Sequence, residues 1–129
     1  MNVYLSDTDT LIDFSKDFYP TKTRLLSIFE KKDIVGISSI NIAEFYTGVP
    51  PKQHEQWKEF LEMFTYWNIS KETALQAGIY RNHFLRKGKQ LTVTDALVAA
   101  VAKEHGATII TTNFKDYPMK DVNLLSLRN

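Results

Sequence analysis

The segment that decides the fold runs from Val3 to Ile12 and reads Val3-Tyr4-Leu5-Ser6-Asp7-Thr8-Asp9-Thr10-Leu11-Ile12. An apolar strand is predicted over residues 2–5, and Asp7 lies directly after it. Thr8 or Thr10 then suits the N-cap of a helix. A strand that leads straight into a helix is typical of a βαβ unit, and such units build parallel sheets.

The same alternation of strand and helix patterns continues along the chain. Further strands are predicted at Ile34–Ile37, Tyr66–Ile69, Thr108–Thr112 and Val122–Leu127. Helices are predicted over Thr23–Lys32, from Ser38 or Ser39 to Gly48, over His54–Phe64, from Ser70 to Leu85, and from Thr92 or Thr94 to Gly106. These patterns predict the α/β class, as a single domain over residues 1–129 with a mainly parallel central β-sheet flanked by α-helices.

The composition fits a folded domain and excludes several kinds of site. Of the 129 residues, 43% are hydrophobic and 24% are charged, which argues against disorder. The chain has no cysteine, so disulfides, thiolate metal sites and cysteine nucleophiles are excluded. The net charge of +1 predicts no strong overall attraction to nucleic acid or to a membrane. We recognise no targeting segment and no apolar stretch approaching the ~20 residues of a membrane span, so a cytoplasmic protein is expected.

Carboxylates follow the predicted strands or begin the predicted helices at four places. These residues are Asp7, Glu44, Asp95 and Asp116, the last with Asn113 nearby. Because the carboxyl ends of parallel strands meet at one edge of a sheet, we expect these side chains to converge. Like charges that converge repel one another unless a cation neutralises them, and oxygen ligands without His or Cys select Mg²⁺ or Mn²⁺. The predicted chemistry is phosphodiester hydrolysis by a metal-activated water.

Each acid also has a purely structural explanation. Asp7 suits a helix N-cap, and Asn41 with Glu44 has the spacing of a capping box. Asp95 in a first helical turn is favoured by the helix dipole, and Asp116 lies in a turn-like surface loop. The functional interpretation therefore depends on the acids lying together.

Four blocks of the sequence resemble the PIN-domain ribonucleases. In chain order they are Val3–Ile12, Ile37–Gly48, Leu91–Ala102 and His105–Tyr117, which together span nearly the whole chain. With its compact length, the chain resembles the VapC-type toxins of toxin–antitoxin pairs. The resemblance implies a PIN-like domain, endoribonuclease activity dependent on Mg²⁺ or Mn²⁺, a homodimer, and inhibition by a cognate VapB-type antitoxin.

The resemblance also implies roles for individual residues. By matching position, Asp7, Glu44 and Asp95 are the core metal-binding acids, and either Asp116 or Asn113 fills the fourth position. Thr111 matches a hydroxyl next to the family's site, and Asp9 stands where the family often has Asn or Ser.

Binding of RNA or of a partner protein must come from other parts of the chain. The densest basic stretch precedes the third block and comprises Arg81, Arg86, Lys87 and Lys89. These side chains hold the RNA backbone or are solvated charges at a helix end. An aromatic set, consisting of Trp57, Phe60, Phe64, Tyr66 and Trp67, is expected to form core or partner surface.

Two other functions fit part of the sequence. Asp7-Thr8-Asp9-Thr10 resembles the nucleophile block of haloacid-dehalogenase phosphatases, although Leu11 stands where that block has Thr or Val. A PIN-like binding module without strong catalysis is the other alternative, and Asn113 in place of an acid favours it. Titration with Mg²⁺ or Mn²⁺ discriminates the module, which binds no ion, from the nuclease.

Overall fold

Strand β1 (Val3–Ser6) lies at the centre of a five-stranded sheet in the computed structural model, which describes residues 1–129. The other strands are β2 (Ile34–Ser38), β3 (Thr65–Trp67), β4 (Thr108–Ile110) and β5 (Leu124–Leu125). The sheet order is β3-β2-β1-β4-β5, and every neighbouring pair is parallel. The predicted α/β class with a parallel sheet is confirmed.

Six helices cover the two faces of this sheet. They are α1 (Thr8–Ser15), α2 (Tyr19–Glu30), α3 (Ser39–Thr47), α4 (His54–Leu61), α5 (Lys71–Leu85) and α6 (Val93–Glu104). Leu5 and Ile109 pack with α5 and α6, whereas Ile37 and Ile110 pack with α1–α4. This alternation of neighbouring strand residues between the two faces produces a three-layer arrangement with two apolar cores. No helix combines the length and the apolar character that crossing a membrane requires.

The order in which strands are added to the sheet switches from one side of β1 to the other between β3 and β4. After β1 it builds β2 and β3 on one side, and it then returns to place β4 on the other side of β1. Ser6 pairs with Ile110, and the Asp7 N–H continues this ladder by donating to the Ile110 carbonyl at 2.9 Å. In open parallel sheets, ligand sites form beyond the carboxyl ends of the strands at such a switch point. The fold therefore places the site between β1 and β4.

Polar side chains at the ends of strands decide where the helices begin. Ser70 and Thr92 cap α5 and α6 as predicted. For α1 the predicted Thr8 or Thr10 cap is wrong, because Asp7 is the N-cap and accepts from the Thr8 N–H at 2.8 Å.

The predicted capping box in α3 also needs correction. It is not formed by Asn41 and Glu44, because Ser38 is the N-cap and Asn41 occupies the third helical position. The Asn41 side chain accepts from the Ser38 N–H at 3.1 Å, and Ser38 Oγ accepts from the Asn41 N–H at 3.4 Å. Glu44 therefore takes no part in capping this helix.

Several predicted boundaries differ from those of the structure. α2 begins at Tyr19 rather than Thr23, because Pro20 fits the first turn of a helix, where its missing N–H costs nothing. Asp116 lies in a short 3-10 turn, Phe114–Asp116, in agreement with the turn-like loop predicted there. The helix predicted to reach Phe64 ends at Leu61, the strand predicted over Tyr66–Ile69 covers Thr65–Trp67, and the strand predicted over Val122–Leu127 is reduced to Leu124–Leu125.

The aromatic set divides between core and surface. Phe60, Phe64 and Trp67 are buried, Trp57 is half-buried, and Tyr66 is exposed. The Trp67 ring stacks on His105 with 4.0 Å between centroids and 5° between planes. Gly36 lies directly under the same indole, so an added Cβ there would overlap the ring.

Candidate functional site

Carboxylates from four separate parts of the chain meet at the carboxyl edge of the sheet. We call them the acidic cluster, which consists of Asp7, Asp9, Glu44, Asp95 and Asp116. Their proximity shows in their mutual electrostatics. The negative charges of Asp116, Glu44 and Asp9 act on Asp95, and the charge of Asp9 acts on Asp7. The structure thus brings together the four acids that the sequence singled out and adds a fifth.

Asp7 is the most constrained member of the cluster. Its Oδ1 accepts from the Thr8 N–H, and its Oδ2 accepts from the Tyr117 hydroxyl at 2.8 Å and from Thr111 Oγ1 at 2.9 Å. Burial and then the charge of Asp9 raise the pKa of Asp7 to about 6, even though these three hydrogen bonds favour the ionised form. Because the ionised form of Asp7 is disfavoured, a nearby cation would stabilise that form.

Asp95 lies in the first turn of α6, where its N–H donates to Thr92 Oγ1 at 3.1 Å. It is half-buried. Burial is the main cause that raises the pKa of Asp95, and the charges of Asp116, Glu44 and Asp9 raise it further against the opposing hydrogen bond from Thr92. The helix dipole alone would lower this pKa, so burial together with the neighbouring carboxylates outweighs the effect of the helix dipole.

Glu44 reaches the cluster from α3 through a chain of hydrogen bonds. Thr8 Oγ1 donates to Glu44 Oε1 at 2.7 Å, and Asn41 Nδ2 donates to Thr8 Oγ1 at 3.3 Å. Asn41 is fully buried and is itself fixed by Ser38 Oγ, which donates to its carbonyl oxygen at 2.8 Å. An exposed carboxylate is therefore oriented from the buried end of β2.

The two candidates for the fourth acidic position behave differently. The Asn113 side-chain amide donates to Asp9 Oδ2 at 3.0 Å, so it faces the start of α1. Asp116 is exposed, and its charge acts on Asp95. The Asp116 N–H donates to the Asn113 carbonyl at 3.0 Å, which places both residues in one tight turn.

Sequence reasoning missed several residues that hold the site. Tyr117, Thr8 and Asn41 orient the acids, yet none of them carries a local signal of that role. Burial, followed by the charge of Asp7, raises the pKa of Tyr117, so its hydroxyl stays protonated and remains a donor. The resemblance marked Asp9 only as standing where the family often has Asn or Ser, and its contacts with Thr112 and Asn113 were not predicted.

The basic stretch divides between two surfaces. Arg81 Nε donates to the Leu91 carbonyl at 2.9 Å, which gives that residue a structural role. Arg86 and Lys87 line a groove along α5 that contains none of the acidic cluster. Lys89 lines a cavity of about 80 Å³ that also contains Lys115, Asp95 and Asp116. Of the four predicted RNA-binding residues, Lys89 is therefore the one that shares a cavity with the acids.

The cluster has the chemistry of a divalent-cation site. All its ligand atoms are oxygens, and its members take part in none of the ion pairs of the structure, which are Lys22–Asp17, Lys103–Asp121 and Arg128–Asp13. No three His, Cys, Asp or Glu side chains already surround one point as a metal requires. Asp116 is exposed and its side chain accepts no hydrogen bond, and Glu44 is exposed and held only by Thr8, so the residues fit a cation that draws the carboxylates together.

Comparison with known proteins extends this picture. A family model for the PIN domain matches residues 4–122. The chain is similar to Ribonuclease VapC2 of Rickettsia felis, with 24% identity over 120 residues that cover 89% of this chain and 90% of that protein. Among solved structures it is similar to VapBC2 of Rickettsia felis bound to a DNA fragment from their promoter, with a TM-score of 0.82, 23% identity, and 96% and 98% of the two chains covered. It is also similar to a toxin–antitoxin complex from Klebsiella pneumoniae, with a TM-score of 0.78, 26% identity, and 96% and 97% covered.

Proposed function

The chain belongs to the PIN-domain family, and from this premise we propose that it is a metal-dependent endoribonuclease toxin of a VapBC-type toxin–antitoxin system. The similarity to a protein named Ribonuclease VapC2, along most of both chains, supports the activity. The similarity to solved toxin–antitoxin complexes supports a cognate VapB-type antitoxin as partner. The observation that carries the proposal is the acidic cluster, whose charges, after burial, raise the pKa of Asp95 and whose members meet no basic partner.

The proposed cofactor is Mg²⁺, with Mn²⁺ as a substitute. Asp7, Glu44, Asp95 and Asp116 are the proposed ligands, and Asn113 is an alternative ligand through its carbonyl oxygen. When bound, such an ion lowers the pKa of an attacking water and offsets the charge that develops on the phosphate.

The remaining steps belong to the protein's own side chains. Asp7 and Asp95, which are the less exposed acids, fix the position of the site, and Tyr117 and Thr111 keep Asp7 oriented by donating to its Oδ2. Glu44, held by Thr8, orients the water for in-line attack. Asp116 adds a carboxylate from the turn after β4.

The RNA backbone needs cationic groups next to these acids. Lys89 and Lys115 line the cavity that contains Asp95 and Asp116, and they are the proposed phosphate contacts. We further propose that residues 1–129 act as one PIN-like domain, that the chain forms a homodimer, and that it acts in the cytoplasm, where its RNA substrate and antitoxin are found.

Asp95→Asn tests the proposal most directly. We expect RNA cleavage in Mg²⁺ or Mn²⁺ to fall by more than roughly 100-fold, because a ligand is lost rather than a residue that supports one. Calorimetric Mn²⁺ affinity should fall in parallel, and circular dichroism should show an intact fold. Glu104→Gln is the matched control, because it removes an exposed carboxylate from the other end of α6 and should change neither measurement.

Other outcomes identify the alternative functions. Wild-type protein that binds no Mn²⁺ at millimolar concentration would be a PIN-like binding module. Release of phosphate from a small monoester, with an aspartyl-phosphate trapped on Asp7, would identify a haloacid-dehalogenase-like phosphatase. Cleavage that survives Asp95→Asn unchanged would exclude the proposed site.

A further inference from the structure

Asp9 accepts more hydrogen bonds than any other member of the acidic cluster. Its Oδ2 accepts from the Thr112 N–H at 2.9 Å, from Thr112 Oγ1 at 2.6 Å and from Asn113 Nδ2 at 3.0 Å. Thr111 Oγ1 lies 3.2 Å from the same oxygen. These donors come from three consecutive residues that follow β4. A single carboxylate oxygen thus fixes a whole segment of chain.

This arrangement leaves Asp9 Oδ2 with no free lone pair to bind a cation. Four donor contacts exceed the two lone-pair directions of one carboxylate oxygen, so ligation through Oδ2 would require the segment after β4 to be released. Oδ1 meets only Thr10 Oγ1, at 3.3 Å. The saturation of one oxygen distinguishes Asp9 from Glu44, which accepts a single hydrogen bond, and from Asp116, whose side chain accepts none.

The segment that Asp9 fixes supports the proposed catalytic groups. Thr111 Oγ1 lies 2.9 Å from Asp7 Oδ2, so its one hydroxyl hydrogen is shared between Asp7 and Asp9. The same segment continues into the turn that carries Asp116 and then into Tyr117, which donates to Asp7. Displacement of the segment would therefore move three groups of the site together.

We propose that Asp9 is a positioning residue: through Oδ2 it holds residues 111–113 against the start of α1 and so sets the positions of Asp7 and Asp116. The proposal rests on the proposed nuclease function for its kinetic consequences. Its structural part stands on hydrogen bonds that need neither metal nor RNA.

Two substitutions at Asp9 separate the effect of its hydrogen bonds from the effect of its charge. Asp9→Asn keeps an oxygen that accepts from Thr112, and the Asn113 amide can turn to match it, so positioning survives while the charge is lost. Asp9→Ala loses both. A ligand or a purely electrostatic role would make the two variants equally damaging.

Kinetics and metal binding form the first arm of the experiment. We expect Asp9→Ala to lower kcat about 10–100-fold with little change in KM, and to weaken calorimetric Mn²⁺ affinity by a similar factor. Asp9→Asn should stay close to wild type in both. Thr112→Val, which removes one hydroxyl donor without changing the shape of the side chain, should shift kcat in the same direction as Asp9→Ala but less. Glu30→Ala, at an exposed acid at the end of α2 that makes no ion pair, is the control.

Amide hydrogen exchange of the metal-free protein forms the second arm and is independent of nuclease activity. The Thr112 amide should be protected in the wild type and in Asp9→Asn, and it should exchange rapidly in Asp9→Ala while the amides of β1 stay protected. Rapid exchange at Thr112 in the wild type would overturn the proposal whatever the activity. Equal kinetic damage in Asp9→Asn and Asp9→Ala would also overturn it. A wild type that is inactive but protected at Thr112 would instead count against the proposed function.

Discussion

At the scale of single residues, Asp7 is under two opposing influences. Burial and the charge of Asp9 favour its neutral form, whereas donors from Tyr117, Thr8 and Thr111 favour its ionised form. Burial and the charge of Asp9 have the larger effect, since the pKa of Asp7 is raised to about 6 from an ordinary value of 3.8. In the absence of a cation the folded protein therefore bears a cost for keeping Asp7 ionised at neutral pH.

This cost makes the stability of the metal-free protein depend on pH. Because the folded-state pKa of Asp7 lies above its unfolded value, protonation stabilises the fold at low pH, and the contribution is lost as the pH rises from 4 through 6. Asp7→Asn removes the charge while keeping an oxygen for Thr8. We expect the variant to exceed wild type in free energy of unfolding by up to about 3 kcal/mol at pH 8 and to match it near pH 4.

Urea unfolding between pH 4 and pH 8, in the presence of a chelator, measures this difference. The same Asp7→Asn variant should have lost RNA cleavage. A stability difference that does not vary with pH would mean that the charge of Asp7 is not the cause.

At the scale of elements, strand ends with polar caps were the features that the sequence predicted best. Ser70 and Thr92 were identified as N-caps because the signal is a single side chain next to an apolar run. The start of α3 was predicted correctly at Ser38 or Ser39, but its capping box was misassigned, since Asn41 can pair with Ser38 before it or with Glu44 after it. Only the buried position of Asn41 decides between the two. Local patterns thus locate the elements, and packing selects among the local alternatives.

Gly36 provides a test of packing between elements. Gly36 lies within the continuous strand β2, where its lack of a side chain makes room for the Trp67 ring. Gly36→Ala forces the indole against His105, on which it is stacked. We expect a loss of about 1–3 kcal/mol in unfolding free energy, the usual cost of overpacking a filled core.

Thermal or urea unfolding of Gly36→Ala measures this loss. The control is Gly78→Ala, because Gly78 has nothing within 4 Å of an added Cβ and lies inside α5, where alanine is the better helix former. That variant should be at least as stable as wild type. Equal losses in both variants would show that the space under Trp67 is not the limiting factor.

At the scale of the whole molecule, the site joins parts of the chain that are far apart in sequence. The four acids could be selected in advance because each lies beside a strand or helix end, and parallel strands bring such ends to one edge. The contact of Tyr117 with Asp7 spans 110 positions and leaves no local trace, so it could not be predicted. The resemblance to a family supplied the chemistry of the acids, but not the side chains that hold them.

A cation bound by these distant segments should stabilise the entire fold. Mn²⁺ at 100 times its dissociation constant should add about 2.7 kcal/mol to the free energy of unfolding, because it binds only the folded state. For a chain of this size that corresponds to a rise in Tm of roughly 5–10 °C. Calorimetric scans with and without Mn²⁺ measure the shift.

Variants complete this test of metal linkage. The shift should disappear in Asp95→Asn and persist in Glu104→Gln. A shift of the same size in both variants would place the ion outside the acidic cluster.

The late position of β4 in the chain has a consequence for how the protein is made. Thr111 and Asp7 are 104 positions apart, and their side chains can form a hydrogen bond only after β4 has paired with β1. A ribosome that has delivered the first hundred residues has already made Asp7, Glu44 and Asp95, yet it has not made the segment that orients Asp7. A chain cut short upstream of β4 would therefore carry these acids without Thr111 and Tyr117, the side chains that donate to Asp7.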